Sequence, residues 1–468
     1  MQIKSINKPR ILDTAVLTAY VAAVLIAVVH HEPWSDEAQA WLIARDMPLG
    51  KMIFSEMHFE VSPALWHVIL WVAQHVFHAS YAAMNWIGAV LAIAGATLLI
   101  FFAPFPRIVR YLMASSYYVL YQYAVIARPY VMLLLFGAMA AIFYRRRQPI
   151  RLAIAAGMLC MVSVHGAILA GAIAAGAALH ALLGWKNLDS QSRTRHLIAL
   201  ALISAAFILM LWIAYPSPDV SAYGRGYDGG NWKKVATTLK DTLVDNWMIG
   251  AVLLLAMAAF VAWRKELTVF LLGVGGLMTF HSKIYGAPHH EGTIVVAIIV
   301  ALWIAWPREG DKLPDWFRPV SIAILGVIFG IQTYWGIAAW RHDYLLPYTG
   351  SADAAAYLKS VGAGPSETYG TGFGMTAVQA YFPSIEFGNW TTTYLHHATN
   401  DEVAIDAIDL RRKPKYVVVN PWTYDENELI DLLRTRGYEV VHVSPGEIFF
   451  KQSVWVKQRY LIFGRVER

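Results

Sequence analysis

Along most of the chain, apolar residues come in long runs. They show neither the alternation of a half-buried strand nor the single stripe of a surface helix. Eleven runs are expected to be buried in lipid: 11–30, 82–102, 109–126, 129–144, 150–164, 166–184, 196–214, 247–263, 267–281, 291–306 and 319–338. Crossing the hydrocarbon takes roughly 17–25 mainly apolar residues, so the shorter runs are expected to extend into the interface. From Leu152 to Trp185 there is no Asp, Glu, Lys or Arg. That stretch is too long for one crossing, and His165-Gly166 is the expected reversal point. The segment Pro63 to Phe77, PALWHVILWVAQHVF, is expected to lie flat in the interface. His67, Gln74 and His75 interrupt it, and counting it as a crossing would invert every later loop. Its stripe of Trp66, Ile69, Leu70 and Val76 is expected to face the membrane.

Beyond about residue 341 the pattern changes to short alternating segments. KYVVVN and EIFFKQ predict strands, and SADAAAYLKSV and DENELIDLLRTRG predict helices. Strand and helix in turn suggest a small α/β domain. The expected organisation is a transmembrane domain over residues 1–340, with a first outer loop at 31–81, and an extracytoplasmic α/β domain over 341–468. No repeat and no low-complexity tract is visible.

Composition supports this reading. The chain is 57% hydrophobic and 15% charged, whereas soluble domains run at about 45–50% and about 25%. The net charge of +6 does not point to nucleic acid, because the basic residues sit in short clusters between apolar runs. With eleven crossings and the N-terminus inside, the inner side receives seventeen of the Lys and Arg residues up to 340. The outer side receives eight: Arg45, Lys51, Arg128, Arg225, Lys233, Lys234, Lys240 and Lys283. This is a positive-inside bias. The first run ends in VVHHEPW without a small-residue cleavage site and is read as a retained span. The single cysteine, Cys160, excludes a disulfide framework.

The polar chemistry falls on the outer side. The first outer loop holds His31, Glu32, Asp36, Glu37, Glu56, His58 and Glu60. Arg128 opens RPY at the next outer turn, and the loop 215–246 carries glycines at 224, 226, 229 and 230. The last outer loop between spans reads SKIYGAPHHEG, with Lys283, His289, His290 and Glu291. Each feature has a structural reading too. Asp36 and Glu37 after Ser35 suit the first turn of a helix, Arg128 suits a headgroup anchor, and the histidines suit an interface. Their gathering on one face is what suggests a site.

These residues resemble the GT-C superfamily of integral-membrane glycosyltransferases, in the lineage of protein O-mannosyltransferases and aminoarabinose transferases (family 39-like). The resemblance covers roughly residues 11–145, with support from 283–292. Asp36-Glu37 occupies the acidic motif of the first outer loop, and HFEVSPALW (His58 to Trp66) resembles the segment opening the second interfacial helix. ARPY (Ala127 to Tyr130) resembles the basic turn before the fourth span. GAPHHEG resembles a late outer-loop motif in which Arg-His is common; here Pro288-His289 stands instead, so Lys283 is the expected substitute cation. The resemblance implies a polytopic helical fold with about eleven spans and interfacial helices. It also implies a sugar donor linked to polyprenyl phosphate, and a glycan, lipid or protein acceptor. The expected location is the bacterial inner membrane, with the N-terminus cytoplasmic and the C-terminal domain outside.

Chemically, displacement at the anomeric carbon by a hydroxyl needs a base, and general-base help is worth about 10²–10⁴-fold. Asp36 is the expected base, with Glu37 orienting the site or helping to hold a divalent cation (Mg2+ or Mn2+). Lys283, Arg128, His289 and His290 are the expected donor-phosphate ligands. His58, Glu60, Tyr130 and Glu291 are second-tier candidates for acceptor contact. One displacement predicts inversion. The rival readings are a lipid-linked glycan transporter or flippase, an O-antigen ligase or polymerase-type protein, and a non-enzymatic assembly or sensor protein.

Overall fold

The computed structural model describes residues 8–217, 232–393, 413–421 and 425–466. The apolar runs fold as helices. Six helices among the described residues are long and apolar enough to cross a membrane singly: Arg10–His30, Ala83–Phe102, Val164–Leu183, Ser190–Ile213, Pro288–Ala305 and Phe317–Leu345. A seventh candidate is the pair Lys233–Val244 and Trp247–Trp263, bent by 74°. The bend lies at Asp245, in the left-handed region (φ 57°). Asn246 then caps the second helix, accepting from Met248 N and Ile249 N at 3.1 Å each. Pro129–Arg145, Pro149–Cys160 and Leu267–Lys283 are shorter apolar helices.

Burial sorts these helices into layers. Every residue of Gly292–Ala305 is buried, as a helix that is apolar all round requires. Ser190–Ile213 does the opposite, with Ile208 68% and Leu211 61% exposed. Apolar faces this open are stable only against lipid.

Three local differences from the sequence reading have physical causes. The run 109–126 is not one helix: Arg107–Ala114 ends and a π-helix, Tyr117–Gln122, follows. The hydroxyls of Ser115 and Ser116 donate back to Tyr111 O and Met113 O, at 2.9 and 2.7 Å, and Ser116 turns extended. The reversal expected at His165-Gly166 falls earlier, because Ser163 is the N-cap and accepts from Gly166 N at 3.0 Å. Finally, Leu65–His75 has 11 residues, about 16 Å of helix, too short to cross. Its Trp66 and Leu70 are fully buried instead of facing the membrane. They pack into the protein while Trp71 Nε1 donates to Met47 O (3.1 Å) and Gln74 Nε2 to Trp41 O (3.2 Å) of the first outer loop. Val76, 57% exposed, is the part of that stripe that stays open.

After Leu345 the chain forms a four-stranded sheet of β1 (Thr368–Thr371), β2 (Tyr416–Val419), β6 (Tyr460–Arg465) and β3 (Tyr438–Ser444), in that order. β1 runs parallel to β2, and β6 is antiparallel to both its neighbours. Val418 and Ile462 face a core shared with Ser351–Ser360 and Met375–Gln379. Val417, Val419, Leu461 and Phe463 face Leu429 and Leu433 of the helix Glu426–Thr435. Helices on both faces explain why β2 is apolar throughout.

A separate hairpin, β4 (Glu447–Phe450) and β5 (Ser453–Lys457), leaves this sheet and enters the helical core. Ile448 is buried there, Phe449 stacks on His342 at 4.3 Å and Phe450 meets Tyr117 at 5.6 Å. Fully burying such a side chain is worth about 1.5–3 kcal/mol, so the hairpin is a firm tether. Met375–Gln379 also packs on Ser35–Asp46, and Arg45 donates to Phe382 O at 2.7 Å.

Candidate active site

The helix Ser35–Asp46 begins just after Pro33-Trp34, with Asp36 and Glu37 in its first turn. Unsatisfied N–H groups and the positive helix end favour carboxylates there. The two side chains part company. Glu37 is fully buried: its Oε1 accepts from Ala127 N at 2.5 Å, and its Oε2 accepts from Trp34 N at 3.0 Å and lies 3.2 Å from His31 Nε2. His31 Nδ1 lies 2.8 Å from Asp343 Oδ2, which also accepts from Tyr121 OH at 3.0 Å. With a carboxylate on each side, both ring nitrogens of His31 donate, so the ring is an imidazolium. Burial alone would lower the His31 pKa. The charges of Asp343 and Glu37 outweigh it and raise the value to about 10.

Asp36 is one-fifth exposed and lies 2.7 Å from the Arg128 guanidinium. That guanidinium sits over the rings of Trp34 and Tyr130, at 5.9 and 5.5 Å. The two contacts are linked through the backbone. Glu37 grips Ala127 N–H, and the next residue, Arg128, therefore arrives opposite the preceding carboxylate, Asp36. Glu37 is thus sealed, with both oxygens engaged.

Trp34 also meets His289, with ring centroids 5.8 Å apart. His289 is buried, and among the described residues neither ring nitrogen has a hydrogen-bond partner. His290 packs at 4.1 Å from His289, 5.4 Å from Tyr130 and 5.0 Å from His165. His281 lies 5.1 Å from His165. Four imidazoles thus gather beside the Asp36–Arg128 pair. Gly292 keeps this end tight, because a Cβ there would collide with the rings of Tyr118 and Tyr123.

The remaining sequence candidates divide. Glu60 reaches this neighbourhood, accepting from Gln39 Nε2 at 3.0 Å one turn after Asp36. Lys283 ends the helix Leu267–Lys283 and is half-buried. Tyr285, which sequence reasoning missed, lies tilted against His290, with ring centroids 5.0 Å apart. Partial burial, then the charge of Asp36, raise its phenol pKa. Tyr130 is a buried platform under Arg128, stacked on Tyr123 at 5.4 Å. His58 instead ties the loop to the end of Ser190–Ile213, with Nδ1 2.7 Å from Tyr215 O. Glu291 belongs to a cluster with Tyr118, Asp241 and Lys451. The glycines at 224–230 lie outside the described residues.

The hairpin contributes as well. Trp455 of β5 lies 6.4 Å from Trp34 and 6.1 Å from His289, forming a roof over both. At its turn, Lys451 buries its ammonium 2.9 Å from Asp241 and 4.4 Å from the Trp335 ring centroid. Nothing in EIFFKQSVWV signals such an insertion except its density of aromatic residues. His31 and Asp343 were equally hidden, since they are 312 positions apart.

A divalent cation does not fit Asp36 and Glu37 as they stand. Both oxygens of Glu37 are engaged by backbone N–H groups and an imidazolium, and a guanidinium already faces Asp36. Among the described residues no group of three or more His, Cys, Asp or Glu side chains is arranged to hold a metal.

No protein-family description matches the chain, and no curated protein matches it. Among solved structures it is similar to that of the arabinofuranosyltransferase AftD from Mycobacteria, with 14% identity and a TM-score of 0.40. The match covers 97% of this chain and 40% of that one, so this chain spans less than half the length of that protein. A likeness that distant carries no argument about activity.

Proposed function

We propose that the protein transfers a sugar from a polyprenyl-phosphate donor to an acceptor hydroxyl at the outer face of the membrane. The observation that carries this reading is the 2.7 Å Asp36–Arg128 pair beside the His289 ring, which has no hydrogen-bond partner among the described residues. A donor phosphate competes with Asp36 for Arg128, and His289 offers it an N–H donor. A buried polar group without a partner costs about 1–3 kcal/mol, and an arriving phosphate oxygen relieves that cost. Lys283 is a second cation in reach of the same loop.

Binding of the phosphate loosens Asp36 from its counter-ion. Asp36 then takes the proton of the acceptor hydroxyl as the oxygen attacks the anomeric carbon. The bond from that carbon to the phosphate oxygen breaks, and polyprenyl phosphate leaves with the electron pair. Arg128 stabilises the charge that develops there. No proton donor is needed for a phosphate leaving group. A single displacement inverts the anomeric centre. Trp455 and the hairpin that carries it cover the site from the C-terminal domain, so that domain takes part in acceptor selection. No step is routed through a metal.

The test is transfer by the purified full-length chain, using a panel of synthetic polyprenyl-phosphate sugars. Wild type transfers at least one sugar with inverted configuration, and Asp36→Asn transfers it about 10²–10⁴-fold more slowly. A product of retained configuration, or an Asp36→Asn variant as fast as wild type, rejects the mechanism.

A further inference from the structure

At the membrane face remote from Asp36, the C-terminal ends of several helices surround a cavity of about 270 Å³. Its lining is Phe102, Ile142, Arg145, Arg146, Trp303 and Arg308. Arg145 forms the floor and caps a helix end, with NH1 donating to Trp303 O at 3.0 Å, Ile304 O at 3.2 Å and Trp306 O at 2.5 Å. Those carbonyls are the negative pole of the central helix, and Arg145 covers them. Arg308 NH2 donates to Arg145 O at 3.2 Å. Among the described residues none of these three arginines makes an ion pair with a carboxylate. The nearby Asp311 is taken by Arg264, at 2.5 Å, and by Arg308 N, at 3.0 Å. Positive charge therefore exceeds negative at this cavity.

The walls say where an anion would come from. Phe102 is 54% exposed and ends a helix whose Val90 is 65% exposed, so the cavity opens beside a lipid-facing surface. Trp263 and Trp316, 50% and 59% exposed, flank the same end. Exposed tryptophans mark the headgroup level of a bilayer. Free phosphate needs arginines but not an apolar wall, whereas a glycerophospholipid needs both.

We propose that this cavity binds the headgroup phosphate of an anionic phospholipid from the leaflet opposite the sugar-transfer face. Arg146 and Arg308 hold the phosphate, and the acyl chains run along Phe102. The site is independent of the transfer chemistry.

The experiment is native mass spectrometry of the full chain in detergent, titrated with phosphatidylglycerol, phosphatidylcholine or inorganic phosphate. Arg146→Gln with Arg308→Gln changes two exposed side chains and leaves the Arg145 cap intact. Lys186→Gln with Arg195→Gln removes the same charge elsewhere on that side. Phosphatidylglycerol is expected to bind wild type in preference to phosphatidylcholine. Its affinity is expected to fall about 25-fold in the first pair, roughly fivefold per arginine, and to hold in the second. Equal losses in both pairs mean diffuse attraction and overturn the proposal. Displacement of the lipid by millimolar inorganic phosphate also overturns it, in favour of a soluble phosphate site.

Discussion

Asp36 and Glu37 are neighbours whose surroundings differ in almost every respect. Asp36 is partly open, holds one cation and lies beside rings that leave hydrogen-bonding capacity unused. Glu37 is sealed, with every oxygen engaged and a counter-charge that is itself pinned by Asp343. The contrast separates two tasks that an acidic pair performs. On the proposed function, one carboxylate is kept available for chemistry and the other builds the frame that aims Arg128 at it.

Substitution of each acid distinguishes the two tasks most sharply. Asp36→Asn is expected to lower transfer by about 10²–10⁴-fold with an unchanged melting temperature. Glu37→Gln leaves the imidazolium of His31 half-compensated inside the protein, and is expected to cost about 3–5 kcal/mol of stability. Thermal melts of the two variants alongside their transfer rates check both. Equal melting temperatures for the two would erase the distinction.

The same frame predicts a pH dependence. His31 has a folded pKa of about 10, above its unfolded value of about 6.5. Its contribution to stability is complete below about pH 6.5 and is lost as pH rises through 10. Melting temperature in detergent is expected to fall over that window, and His31→Gln is expected to remove that part of the fall.

At the hairpin, Lys451→Met leaves Asp241 without its 2.9 Å partner. The expected cost is about 1–3 kcal/mol, read as faster proteolysis between β4 and β5. At Glu32, burial raises the pKa to about 7 against the weaker pull of Ala352 N–H. A raised carboxylate favours the fold at low pH, and that contribution is lost as pH climbs through 7. Glu32→Gln is expected to flatten this loss between about pH 4.5 and 7, read as a smaller change of melting temperature over that window.

Helical organisation was legible because hydropathy acts over whole segments, and a run such as Gly292–Ala305 has no other stable state. The coming together of Asp36, Arg128 and His289 was legible as a shared membrane face, not as a geometry. What stayed hidden depends on distant partners. Glu37 reads like Asp36 until Ala127 and Asp343 are in place. Trp66 and Leu70 look lipid-facing until the helix Ser35–Asp46 covers them. Glu291 looks like a site acid until Lys451 arrives from 160 residues downstream and draws it to another cluster.

The central claim is that Asp36 is a counter-ion which the donor phosphate displaces from Arg128. Its most direct test is the affinity of sugar-free polyprenyl phosphate for wild type, Asp36→Asn and Arg128→Gln in one lipid environment. The account predicts tighter binding by Asp36→Asn, where Arg128 is released, and at least about tenfold weaker binding by Arg128→Gln, the loss of one charge-assisted contact. Weaker binding by Asp36→Asn, or unchanged binding by Arg128→Gln, would contradict it.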